Sequence, residues 1–156
     1  MMKGFLLLIY LFIGITVNAK EKQIQLFPRT YGYFARGDEK SQTITYDHNW
    51  GEYGWKNHSS EDLSTYNYII LKIEPTDSKV EVRVLYDEDE MGTRIGQVEK
   101  GKTKAVCKFD SMRKVVAIYL VKSKSGIVRI DRFVLIDRIK YDSIGCKRFV
   151  LNNYNT

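Results

Sequence analysis

Tyr46-Asp47-His48-Asn49-Trp50-Gly51-Glu52-Tyr53-Gly54-Trp55-Lys56 is followed closely by Glu61-Asp62-Leu63-Ser64-Thr65-Tyr66-Asn67-Tyr68-Ile69-Ile70-Leu71-Lys72-Ile73, and the fold turns on these two stretches. The first holds both tryptophans of the chain, which differ by an odd number of positions. In a regular strand they would point to opposite faces, one toward a core and one outward, with Tyr53 sharing the parity of Trp55. In the second, Asp62 and Ser64 have short polar side chains that bond nearby backbone and fix a turn. Leu63 between them would plug the end of a core. Tyr68–Ile73 is apolar on both faces and reads as a central strand of a packed sheet.

Working outward, the chain is dense in Tyr, Val, Ile, Phe and Thr, residues that suit a pleated surface. Lys79–Tyr86 alternates, with Val80, Val82, Val84 and Tyr86 on one face and Glu81, Arg83 and Leu85 on the other. Thr43–Tyr46 does the same over a shorter span. Val115–Val121 and Phe133–Ile136 are apolar throughout. Turn signals separate these runs: Glu74–Ser78, the acidic Asp87–Glu90 with Gly92, Glu99–Lys102 and Lys122–Gly126. Eight or nine short strands with such spacing predict an all-β antiparallel sandwich. The best helical candidate is a single turn around Ser60–Tyr66. Arg138–Thr156 is expected to add a strand or pack outside, with a fraying Asn-rich tail.

Residues 1–19 read as a cleaved secretory signal: Lys3, the apolar run Phe5–Val17, and Val17-Asn18-Ala19 as a cleavage site. As a helix, Gly4–Val17 would reach about 21 Å at ~1.5 Å per residue, short of the ~30 Å hydrocarbon core of a bilayer. No later stretch is apolar enough to span one. Lys20–Thr156 is then one domain, with a short C-terminal extension from about residue 138, placed outside the cell, in the periplasm or on the cell surface. The formal charge of +6 is interspersed with acids rather than gathered into a stripe, which argues against a nucleic-acid partner. Cys107 and Cys146 would meet an oxidising compartment. They form either a disulfide closing a loop of roughly 40 residues or two buried thiols, and without a nearby His they do not suggest zinc.

A Trp- and Gly-containing strand, the Asp62-Leu63-Ser64-Thr65-Tyr66 turn and the core strand from Tyr68 together resemble the galactose-binding-like jelly rolls. The closest likeness is to the carbohydrate-binding-module-type domains of exported Bacteroidetes proteins. Val115–Val121, a short Lys/Ser/Gly turn and Val128–Leu135 fit the closing strand pair of such domains. The resemblance spans roughly Gln42–Ile136 and is mainly architectural. It implies a jelly-roll β-sandwich that binds a glycan.

Sugar C–H faces pack on flat aromatic rings, and carboxylates, amides and Arg bond the hydroxyls. Trp50, Tyr53 and Trp55, with Asp47, His48, Asn49 and Glu52, supply those ingredients, and Arg83 lies on the polar face of an alternating strand. Tyr31-Gly32-Tyr33-Phe34 with Arg36 is a second aromatic cluster, expected at the same end. The acidic run Asp87–Glu90 lacks the alternating ligands of a calcium loop and reads as a solvated turn, so no cofactor is expected; a structural calcium has no local motif. Asn57-His58-Ser59 is a glycosylation sequon for a eukaryotic source. The only two histidines lie in a loop-rich region, with no Gly-x-Ser-x-Gly elbow or phosphate loop. The expectation is therefore a binding domain rather than an enzyme. A structural or protein-interaction sandwich without a sugar site is the alternative, and a glycoside hydrolase comes third.

Overall fold

Ten segments form strands, most of them on alternating apolar positions, described over residues 20–137 in a computed structural model of the chain. They are β1 (Glu21–Gln23), β2 (Ala35–Asp38), β3 (Thr43–Tyr46), β4 (Gly51–Lys56), β5 (Tyr68–Ile73), β6 (Val80–Tyr86), β7 (Thr93–Val98), β8 (Lys104–Lys108), β9 (Val115–Lys122) and β10 (Gly126–Ile136). The strands pair from the middle of the chain outward: β6 with β7, β5 with β8, β4 with β9 and β3 with β10, all antiparallel. This long folded ribbon then rolls up, so that successive pairs fall in opposite sheets. Further pairing of β10 with β5 and of β9 with β6 completes each sheet.

The result is a jelly-roll sandwich. One sheet runs β2-β3-β10-β5-β8, with β1 beside the far half of β10, and the other runs β4-β9-β6-β7. Between them lies a single core in which Val80, Val82, Val84, Ile118 and Leu120 meet Ile69, Leu71, Ile73, Phe133 and Leu135. A bulge between Ile130 and Arg132 shifts the register of β10. It moves the inward positions from Val128 and Ile130 to Phe133 and Leu135, so one long strand serves the core along its whole length.

Several expectations change. Among the described residues there is no helix, and Ser60–Tyr66 forms turns instead. Asp62 Oδ1 accepts from Ser64 N at 2.9 Å, and Asn57 Oδ1 accepts from Glu61 N at 2.9 Å. Such local side-chain bonds compete with a helical backbone. Leu63 does plug the core. Tyr68–Ile73 is a central strand, as expected, between β10 and β8, but only one of its faces is sealed: Ile69, Leu71 and Ile73 are buried, while Tyr68, Ile70 and Lys72 are half-buried. Lys122 is not a turn residue but the last residue of β9, and it is fully buried.

Asn57 of the sequon is also buried, its amide donating to Glu61 O and Val115 O, so its nitrogen is unavailable to a glycan. Cys107 is a core residue whose thiol is pushed up to about 12 by burial. Cys146, the leader over 1–19 and the extension from about residue 138 lie outside the described residues. Among the described residues no helix is long and apolar enough to cross a membrane.

Candidate functional site

The strand register sorts the outer face of the four-stranded sheet into rows. Tyr31 bridges to Gly54 as an extra edge segment beside β4. Gly54 lies opposite Tyr119 of β9, Tyr119 opposite Arg83 of β6, and Arg83 opposite Arg94 of β7. The next row reads Glu52, Val121, Glu81, Gln97. At ~4.8 Å per strand the face is about 19 Å wide, room for several sugar-sized rings.

Gly54 is what lets the first row close. A Cβ there would overlap the Tyr119 Cβ and Ile118 O, far inside van der Waals contact. Without one, the rings of Tyr31 and Tyr119 meet across β4 with centroids 4.8 Å apart. Gly92 crosses the Tyr119 hydroxyl equally closely. Tyr119 is therefore the floor of the face rather than its contact surface, and burial, followed by the nearby Glu52 and Tyr31, pushes its hydroxyl up to about 12.

Glu81 is the electrostatic centre. It is 2% exposed and is paired with Lys79 at 3.0 Å, Arg83 at 2.6 Å and Arg94 at 3.5 Å. Burial alone would raise its pKa, but the hydrogen bonds from Arg83 and Lys79 outweigh it and hold the carboxyl below its ordinary range. Glu52 has its pKa raised by burial, against the pull of Arg83.

Trp50 stands at the edge of this cluster. It precedes β4 in the left-handed backbone region at φ 62°, with 52% of its surface exposed. Lys79 Nζ lies 5.5 Å from its ring centroid, which joins Trp50 to the Glu81 network. Its backbone N donates to Lys122 O at 2.8 Å. Tyr53 is sealed in the core at 1% exposure, and Trp55 packs half-buried against it. The parity argument thus separates the two tryptophans correctly, although Trp50 sits in a turn rather than a strand.

The remaining sequence candidates scatter around the turn. Asp47 pairs with Arg36 at 2.6 Å, the His48 ring lies 4.8 Å from that of Phe34, and Asn49 Oδ1 accepts from Ser125 N at 2.9 Å. Of the residues singled out from sequence, the structure brings Arg83, Glu52 and Trp50 to one face. Tyr31 joins them there, while Tyr33 and Phe34 form an exposed aromatic edge with His48. Tyr119, Lys79 and Arg94 were not singled out. Tyr119 was hidden inside an apolar run, and the other two are ordinary surface cations until the register is known. In the acidic turn, Asp89 pairs with Arg113 and Asp87 with Lys114. A cavity of about 330 Å³ lies elsewhere, against the six-stranded sheet between Leu26, Phe27, Gln42 and Ile130.

The chain shares its fold with family 29 carbohydrate-binding modules. The family 29 module from Piromyces equi superposes with a TM-score of 0.57 at 15% identity, covering 78% of this chain and 87% of that one. A second family 29 module gives 0.59 at 12% identity over 84% and 99%. A variant family 29 module complexed with cellulohexaose gives 0.60 at 12% over 78% and 93%. No family model matches the sequence, and no curated protein matches it. At these identities the likeness is one of fold, and it agrees with the jelly roll that the sequence predicts.

Proposed function

We propose that this chain is an exported, non-catalytic carbohydrate-binding domain that holds a glycan on the outer face of its four-stranded sheet. The observation that carries the reading is exposed Trp50, joined through Lys79 and Glu81 to Arg83, on the same face as Tyr31 and Glu52 over a buried Tyr119 floor. Trp50 and Tyr31 offer rings for sugar C–H faces. Glu52, Arg83, Arg94 and Gln97 offer hydrogen-bonding groups at the spacing of adjacent strands. Glycoside hydrolysis takes a pair of carboxylates, and on this face Glu81 is engaged by Lys79, Arg83 and Arg94, which suits binding rather than hydrolysis. Solved structures of the same fold include complexes with cellulohexaose and mannohexaose, so these oligosaccharides are the first probes.

The test is calorimetric titration of the protein with both hexasaccharides and with a panel of soluble polysaccharides, repeated on Trp50→Ala and Tyr31→Ala. Each substitution is expected to weaken binding by about tenfold or more, the scale of ~1–1.5 kcal/mol per stacked aromatic. If no glycan binds, or if binding survives both substitutions, the site is wrongly placed. The exposed edge of Tyr33 and Phe34 favours a second reading, a protein-interaction domain. Under that reading Phe34→Ala, and not Trp50→Ala, would remove binding to the partner.

A further inference from the structure

We propose that Arg83, Arg94 and Lys79 form an anion subsite within this face, and that the glycan bound there carries acidic groups, either uronate carboxylates or sulfate esters. The inference rests on the glycan reading of the face and goes beyond it by naming the class of sugar.

Three cations share one carboxylate. Glu81 Oε2 accepts from both Nε and a terminal NH of Arg83, at 2.9 and 2.6 Å. Glu81 Oε1 is taken by Lys79 at 3.0 Å. Arg94 is left at the loose end, 3.5 Å from the same Oε1 and 3.5 Å from Gln97 Oε1, with 54% of its side chain exposed. The register also sets Arg83 directly opposite Arg94. Like charges in that position repel and are destabilising, so Glu81 only partly relieves the pair. Glu52, on the same face, forms no ion pair within 4 Å among the described residues. The cluster thus holds an excess of positive charge and of N–H donors, beside an exposed indole.

A neutral sugar presents hydroxyls that both donate and accept, and it would leave this charge uncompensated. A carboxylate or sulfate matches the guanidinium fork of Arg94 with two parallel bonds and cancels the repulsion with Arg83. The bulge between Val82 and Arg83 creates the arrangement: it brings Arg94, rather than Ile95, opposite Arg83. Without the leader and its Lys3, the formal charge falls from +6 to +5, and that positive excess would further attract a polyanion at low salt.

The test uses polymers that differ only in charge: polygalacturonate against its fully methyl-esterified form, and dextran sulfate against dextran. The neutral hexasaccharides and a DNA oligonucleotide of matched charge are added. In calorimetry at low and moderate salt, at least one acidic polymer is expected to bind about tenfold or more tightly than its neutral counterpart. Arg94→Ala is expected to remove that preference, so that acidic and neutral polymers bind the still cooperatively folded variant with equal affinity, and Arg94→Lys to restore part of it. Preference for polygalacturonate alone identifies the carboxylate, and preference for dextran sulfate alone the sulfate ester. Binding of neutral hexasaccharides with no gain from acidic groups overturns the anion subsite and leaves the glycan reading standing. Absence of binding to every sugar removes the glycan reading itself. Equal binding of DNA, lost equally in Arg94→Ala, would show unspecific attraction of polyanions and also overturn the subsite.

Discussion

The ammonium of Lys122, with none of its surface exposed, lies 2.6 Å from Asp77 Oδ1. The same nitrogen donates to Ser78 Oγ at 2.7 Å and to the carbonyls of Lys124 and Ser125 at 3.1 and 3.4 Å. One cation therefore ties the β5–β6 turn to the β9–β10 turn. The tie extends to the proposed site, because Lys122 O accepts from Trp50 N and Asn49 Oδ1 accepts from Ser125 N. Lys122→Met fills the volume but leaves those oxygens without their donor. It is expected to cost about 2 kcal/mol, toward the lower end for a broken charged pair because Asp77 itself is exposed. The check is urea denaturation in a Trp55→Phe background, where Trp50 fluorescence should shift to longer wavelength before global unfolding.

Acid should find the same pair. The hydrogen bond and charge of Lys122 hold the Asp77 carboxyl below its ordinary range, and Glu81 is likewise held low by Arg83 and Lys79, against its burial. A carboxyl whose folded pKa lies below its unfolded value contributes stability at pH above the unfolded value. That contribution is lost as pH falls through the folded one. Stability is therefore expected to be flat near neutrality and to fall below about pH 5, where unfolded Asp and Glu begin to bind protons. Glu81→Gln should be less stable at pH 7 by about 2 kcal/mol, since three cations lose their carboxylate, and should show a shallower fall in acid. A wild-type fall no steeper than that of Asp77→Asn and Glu81→Gln would show that neither carboxyl contributes.

Much of this was legible in the chain. The alternation of Lys79–Tyr86 fixed which side of β6 is core, the Asp62-Leu63-Ser64 turn behaves as its side chains dictate, and parity placed Trp50 and Trp55 on different sides of the core boundary. Tyr119 was not legible, because an apolar run looks the same whether its outer side chains are covered by a second sheet or by Tyr31 and a glycine turn. Arg94 reaches Arg83 only through a bulge, which no local pattern announces. Lys122 looked like turn punctuation because a buried cation is recognised by its partners, and these come from residues 45 and 44 positions away and from the following turn.

Gly54 and Gly101 should respond differently to the same substitution. Gly101 adopts φ 75° with nothing within 4 Å of a new Cβ, so Gly101→Ala meets only backbone strain, about 1 kcal/mol. At Gly54 the obstacles are the Cβ of Tyr119 and the backbone of its own sheet, which cannot swing aside. Gly54→Ala is expected to cost about 2–3 kcal/mol and to push Tyr31 off Tyr119. Thermal melts measure the first effect, and the second should appear as weaker glycan binding at temperatures where the variant remains folded.

Cys107 is opposed by Gly96, where a Cβ would run into its sulfur. Burial pushes its thiol up to about 12, and only the thiolate is nucleophilic. Iodoacetamide at pH 8 should leave Cys107 unmodified in the native protein and label it fully in denaturant, as read by peptide mass spectrometry. Rapid native labelling would mean that the β7–β8 edge opens readily.

Trp50 combines exposure with a backbone conformation that a β-carbon disfavours by roughly 1–2 kcal/mol. A bulky residue in that state contributes little packing to offset the strain, and persistent strain at an exposed aromatic points to a use for the ring. Trp50→Gly should therefore be more stable than Trp50→Ala by about 1 kcal/mol, since only glycine accepts φ 62° without penalty. Both substitutions remove the indole and its contact with Lys79, so both should lose glycan binding to the same extent. If alanine proves as stable as glycine, the turn does not hold Trp50 under strain. If glycine keeps the affinity of the native protein, the ring is not a contact and the face must bind through Tyr31 and the charged row alone.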